Sequence, residues 1–272
     1  MRGRVLAIGG SDSGGGAGIQ ADIKSILALG AHASTAITAL TAQNTLGVES
    51  ILPVAPEFIR AQMVAVLGDI GADVVKTGML GGVAGMEAVR ATLEQYAPST
   101  PLVIDPVMVA KGGARLMEAA AMDALVAGLI PRATLLTPNL PEAEALTGIG
   151  IAAELDMHRA AERLLRMGCG AVLLKGGHLD GAEVIDILVS EEGTEMFRAP
   201  RIDTRHTHGT GCTLASAVVA GLAQGMSMAE AVGRARAYVR AAIAAAPGLG
   251  AGHGPLGHDV TVDVSRLPGY AP

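Results

Sequence analysis

Val5-Leu6-Ala7-Ile8-Gly9 and, one helical stretch later, Ser34-Thr35-Ala36-Ile37-Thr38-Ala39-Leu40 set the fold. Both are short, rich in β-branched and small residues, and apolar on both faces. Such strands lie between two covering layers rather than at a wet surface. The pattern returns at 74–77, 102–104, 134–136 and 171–174. Between these runs, 17–29, 56–67, 83–96, 119–129 and 156–167 carry helical period, and 212–224 with 228–245 form a closing helical pair. Regular β-α alternation produces parallel strands, because each helix carries the chain back along the sheet. The expected fold class is α/β, a three-layer sandwich with a mostly parallel central sheet and helices on both faces. Segments 183–190 and 194–199, parted by Glu191-Glu192-Gly193, are expected as a hairpin at the sheet edge. With no linker, repeat or low-complexity tract, residues 1–272 read as a single domain, closed by a glycine- and proline-rich loop over 248–258.

Half of the 272 residues are apolar and 37 are glycine, enough for a sizeable core wrapped in tight turns. The net charge of −6 and the 2 % aromatic content argue against nucleic acid, which calls for a basic face or a row of stacking rings. Cys169 and Cys212 make neither a disulfide framework nor a zinc pattern, and Cys169, beside an apolar run, reads as core. The opening apolar run reaches Asp12 too soon for a secretory leader, and no stretch approaches the ~20 apolar residues of a membrane helix. A soluble, cytoplasmic protein with no membrane partner is expected.

Ligands of open parallel sheets bind beyond the carboxyl ends of the strands. The polar residues expected there are Ser11 and Asp12, then Thr41, Gln43 and Asn44, then Lys76 and Thr77, then Asp105, Asn139, Glu142 and Lys175. The most informative segment is His208-Gly209-Thr210-Gly211-Cys212-Thr213, which opens a small-residue helix. Its glycines let the backbone turn with N–H groups outward, and a helix start adds about half a positive charge. Such a place holds an anion and lowers the proton affinity of a thiol, which suits phosphoryl transfer. The alternative is a plain glycine turn with Thr210 as N-cap and Cys212 as a small core residue.

Asn139-Leu140-Pro141-Glu142 admits two compatible readings, a capping box and an oxygen-ligand site for Mg²⁺ held through water. Lys175-Gly176-Gly177 ends a buried strand in a chain with only a few lysines. It reads as a point charge for nucleotide phosphates or as a snorkelling strand-end lysine. His206, His208, His253 and His258 sit in glycine-rich loops without zinc spacing and are expected to line the cleft. A Walker loop is absent, and Gly16-Ala17-Gly18-Ile19-Gln20-Ala21 starts too far after its strand for a dinucleotide fingerprint.

Taken in order, Ile8 to Asp22, Thr38 to Thr45, Lys76-Thr77-Gly78-Met79-Leu80, Asp105-Pro106-Val107-Met108, Thr137 to Ala143, Lys175 to His178, His208 to Thr213 and Gly252-His253-Gly254-Pro255 resemble the ribokinase-like superfamily. Within it they resemble the hydroxymethylpyrimidine/phosphomethylpyrimidine kinases. The resemblance implies ATP as donor, Mg²⁺ as cofactor, and a homodimer. It implies phosphorylation of 4-amino-5-hydroxymethyl-2-methylpyrimidine and then of its monophosphate, in thiamine biosynthesis. Cysteine-bearing relatives that act on vitamin B6 leave a pyridoxine/pyridoxal kinase as the alternative. A ligand-binding regulator on this scaffold would not need an intact base, anion pocket and metal site.

On that basis Cys212 is the expected base, and the amides of Gly209, Thr210, Gly211 and Cys212 face the moving phosphoryl group. Asn139 and Lys175 hold nucleotide and Glu142 serves the metal. Gln43 would read a ring nitrogen beside an exocyclic amine, as Asn or Gln reads adenine, or would instead satisfy a turn. Asp22 would touch the ring or cap a turn, and Met79 and Val107, with Met108, would form apolar walls.

Overall fold

A computed structural model describes residues 3–108 and 117–263. Its strands are β1 (Arg4–Asp12), β2 (His32–Asn44), β3 (Gly47–Pro53), β4 (Val74–Thr77), β5 (Leu102–Ile104), β6 (Leu135–Leu136), β7 (Ala171–Lys175), β8 (Glu183–Ser190) and β9 (Gly193–Pro200). The helices are α1 (Gly18–Ala28), α2 (Pro56–Asp69), α3 (Val83–Tyr96), α4 (Ala119–Gly128), α5 (Leu140–Thr147), α6 (Glu154–Leu165), α7 (Thr210–Ala223) and α8 (Met228–Ala244). The strands form one sheet in the order β3-β2-β1-β4-β5-β6-β7-β8-β9. The run from β2 to β7 is parallel, while β3 at one edge and β8 and β9 at the other are antiparallel.

The period of two along each strand builds two cores. Leu6, Ile8, Val75, Ile104 and Leu174 pack against Met63 of α2, Leu93 of α3, Leu125 of α4 and Leu164 of α6. Val5, Ala7, Val74, Val103 and Leu173 face the other way, onto Ile26 of α1, Val218 of α7 and Val232 of α8. This is why the strands are apolar on both faces, and the expected three-layer α/β sandwich holds. Cys169 is core, as expected.

Three local expectations are corrected. β3 was not anticipated, because its residues are half or fully exposed and carry no one-sided apolar pattern; β2 and the turn at Thr45-Leu46 hold it. α7 starts at Thr210 rather than Cys212. Its N-cap is Gly209, at φ +81°, and not Thr210, whose hydroxyl donates to the Thr207 carbonyl at 2.7 Å.

Candidate active site

A cleft of about 1000 Å³ opens at the carboxyl ends of the parallel strands, and its wall includes Asp22, Gln43, Met79, Val107, Asn139, Glu142, Lys175 and Gly209-Thr210-Gly211-Cys212, but neither Asn44 nor the buried Thr77, both expected there. Two loops meet along one side. The Asp12 carboxylate, at the end of β1, accepts from the amides of Gly14 (2.8 Å), Gly16 (3.1 Å) and Ala17 (2.8 Å), and from the His208 ring at 2.8 Å. Burial pushes the Asp12 carboxyl up, but His208 and the amides outweigh it, so it stays ionised below the usual range. One carboxylate therefore fastens the 14–17 turn to the loop that starts α7. A Cβ at Gly209 would stand 1.8 Å from the Gly16 carbonyl oxygen, so only glycine allows these loops to touch.

The cleft floor is charged. Lys175 Nζ donates to Asp105 Oδ1 at 2.9 Å, and the first turn of α7 rests on this pair, since a Cβ at Gly211 would lie 3.2 Å from Lys175 Nζ. Burial lowers the proton affinity of Lys175, while Asp105 and Glu142 more than restore it; the ammonium is held above its ordinary range. Asp105, raised by burial and lowered further by Lys175 and Lys76, is held below its own. Asn139 and Glu142 form the expected capping box of α5: the Asn139 amide donates to Glu142 Oε2 at 2.7 Å and the Glu142 amide to Asn139 Oδ1 at 2.9 Å. Burial pushes the Glu142 carboxyl up to about 7, with Lys175 opposing and Asp105 reinforcing.

Several expectations change here. The Cys212 thiol is not activated in this state. Burial pushes it up to about 12, and Asp105 and Asp22 add to that, against the opposing charge of Lys76. Asp22 does not cap a turn: its carboxylate is enclosed, bonded to Lys76 Nζ at 2.9 and 3.0 Å and to the Ser216 hydroxyl at 2.6 Å. The Gln43 side chain does not serve a turn; its Oε1 accepts from the Thr41 hydroxyl at 3.2 Å and its Nε2 lies 3.4 Å from His208 Nε2. Met79 and Val107 stand half-buried on the wall. Of the loop histidines, His208 and His253 line the cleft. His258 is instead buried against the Thr213 hydroxyl (2.9 Å), and burial pushes its ring down to about 4. Among the described residues no three His, Cys, Asp or Glu groups converge to hold a metal ion. Sequence reasoning gave no role to the Asp12–His208 pair or to Lys76; an acid and a lysine at strand ends were the available signals.

A mostly parallel α/β sheet, a glycine-opened helix start at the strand ends, and a lysine–carboxylate floor beneath it mark a small-molecule phosphotransferase of the ribokinase-like fold. The phosphomethylpyrimidine kinase family model matches residues 12–257. The chain belongs to that family. It is 48 % identical over 254 residues to the hydroxymethylpyrimidine/phosphomethylpyrimidine kinase of Streptomyces coelicolor, covering 93 % of each. It is 52 % identical to the thiamine biosynthesis bifunctional protein ThiED of Geobacter sulfurreducens, but spans only 54 % of that longer protein. Among solved structures, an ADP complex of Bacillus subtilis pyridoxal kinase superposes with a TM-score of 0.89 at 36 % identity, over 96 % of this chain and 98 % of that one. The phosphomethylpyrimidine kinase of Clostridium difficile superposes at 0.78 with 42 % identity, over 87 % and 97 %. Among the described residues no helix is long and apolar enough to cross a membrane.

Proposed function

We propose that this chain moves the terminal phosphoryl group of ATP onto the hydroxymethyl group of 4-amino-5-hydroxymethyl-2-methylpyrimidine, and then onto the resulting monophosphate, as a step in thiamine biosynthesis. The observation that carries it is the shared cleft: the first turn of α7, at Gly211, lies against the Lys175–Asp105 pair, and Gln43 and Met79 line the same space. A carboxamide there matches a ring nitrogen next to an exocyclic amine, which pyridoxine lacks. The 36 % identity and close superposition with a pyridoxal kinase make vitamin B6 the second reading.

Phosphoryl transfer needs aligned oxygens and neutralised charge rather than elaborate covalent chemistry. The α7 amides and Lys175 face the transferred group, Asn139 and Lys175 the nucleotide, and Cys212 takes the hydroxyl proton. In the second step a phosphate oxygen is already a nucleophile and needs no base. The donor set fits Mg²⁺ that keeps its waters, because Glu142 is a buried carboxylate with raised proton affinity and, among the described residues, no three His, Cys, Asp or Glu groups converge to cage an ion. Glu142 would hold the ion through water, and the ion would screen the donor phosphates. Half- to fully exposed Leu46, Leu52 and Phe58 supply apolar surface for a homodimer; a monomer mass by light scattering would remove that part.

Replacing Cys212 by alanine tests the mechanism. Loss of a positioned base slows a step by about 100- to 10,000-fold. ADP release with the hydroxymethylpyrimidine should fall by that order, while nucleotide binding by calorimetry survives. Near-normal turnover would return Cys212 to a packing role.

A further inference from the structure

Lys76 has no part in the mechanism above, yet it is a completely enclosed ammonium. A buried ion pair gives up the hydration of both ions, which its own attraction must first repay. The cleft already has Lys175 to meet phosphate. Lys76 is held by both oxygens of Asp22, and Asp22 is held in turn by Ser216. Ser216 follows Cys212 by four residues on α7, so the two side chains leave the same helix face one turn apart. The face of α7 that carries Cys212 therefore looks onto the Asp22–Lys76 pair, while its first turn rests on Asp105–Lys175. The charged groups around the sulfur are these four, from α1, β4, the end of β5, and β7.

Resting on Cys212 as the base, we propose that Lys76 is its positioning residue: the ammonium, fixed by Asp22 and Ser216, supplies the positive charge that offsets part of what opposes a thiolate at the sulfur and so eases its formation when the acceptor arrives. The resting thiol first gives its proton to water in the cleft; in the transfer the acceptor O–H bond then breaks as S–H forms again, the oxygen bonds phosphorus, the bridging P–O bond breaks and ADP leaves. Lys76 keeps its proton throughout. The direction agrees with the electrostatics, since Lys76 is the largest charge acting at the sulfur and opposes the rise that burial, Asp105 and Asp22 cause.

Iodoacetamide alkylation of Cys212 across pH 6–10, followed by the mass of its peptide, reads thiolate directly and needs no turnover. Lys76→Met should slow alkylation at pH 8 about tenfold or more, the effect of one pKa unit or above. Should that variant fail to fold, the Lys76→Met/Asp22→Asn double variant removes the pair together and leaves no unmatched buried charge. It too should alkylate more slowly than the parent. A loosened fold would expose the sulfur and speed the reaction, so the sign separates electrostatics from damage. Alkylation at the parental rate, or faster, in the variant that folds would overturn the proposal. If alkylation slows as expected while Cys212→Ala turns over normally, the coupling stands and the base assignment falls.

Discussion

Adding one methyl group at Gly209 tests the geometry of the whole site. In Gly209→Ala the new Cβ would sit 1.8 Å from the Gly16 carbonyl oxygen, whereas ordinary contact begins at 3.4 Å, so the loops must part by the difference, roughly 1.6 Å. The residue would also keep φ near +81°, a left-handed conformation that costs an L-residue about 1–2 kcal/mol. Overpacking adds about 1–3 kcal/mol. Together these come to about 2–5 kcal/mol, on the order of a 10 °C fall in Tm for a chain of this size. The catalytic loss should exceed the stability loss, since misplacing reacting groups by ~1 Å can cost about a hundredfold in rate. Thermal unfolding and steady-state ADP release measure both. Gly68→Ala is the control: it lies exposed in α2 with nothing within 4 Å of its Cβ, and should gain about 0.5–1 kcal/mol of helix preference. Parental Tm and kcat in Gly209→Ala would show that the two loops do not depend on their contact.

Two buried groups give stability opposite slopes with pH in the metal-free protein. Burial raises Glu142 from 4.5 to about 7, so its share of stability is full below pH 4.5 and is lost as pH rises to 7. Burial lowers His258 from 6.5 to about 4, so its share is full above 6.5 and is lost as pH falls to 4. Each is worth about 3 kcal/mol. Glu142→Gln keeps the capping box and removes one slope, so urea midpoints should then rise from pH 4.5 to 6.5 more steeply than in the parent. Equal slopes in both proteins would refute these assignments. Gln43→Leu should erase the preference for pyrimidine over pyridoxine, roughly 10- to 100-fold for a lost bidentate contact. If competition kinetics still favour pyrimidine, Gln43 does not read the ring.

Strands β4 and β5 were legible to the residue because burial on both faces leaves a pattern that needs no knowledge of partners. β3 was invisible for the converse reason: Glu49, Leu52 and Pro53 are all exposed, and its position depends on pairing with β2. The glycine run 208–211 and the capping box at Asn139 are local devices, and each was readable from neighbours in the chain. The contact between Asp12 and His208 spans 196 residues and has no local signature. The thiol went astray because the helix start that favours its charge is local, whereas the burial, Asp105 and Asp22 that oppose it assemble only on folding.

Because one acidic side chain grips both the turn after β1 and the histidine ahead of α7, these two edges of the cleft share a single hinge pin. Altering the first strand's exit will therefore disturb how the start of α7 is held, and efforts to reshape the cleft should treat those loops as one inherited unit.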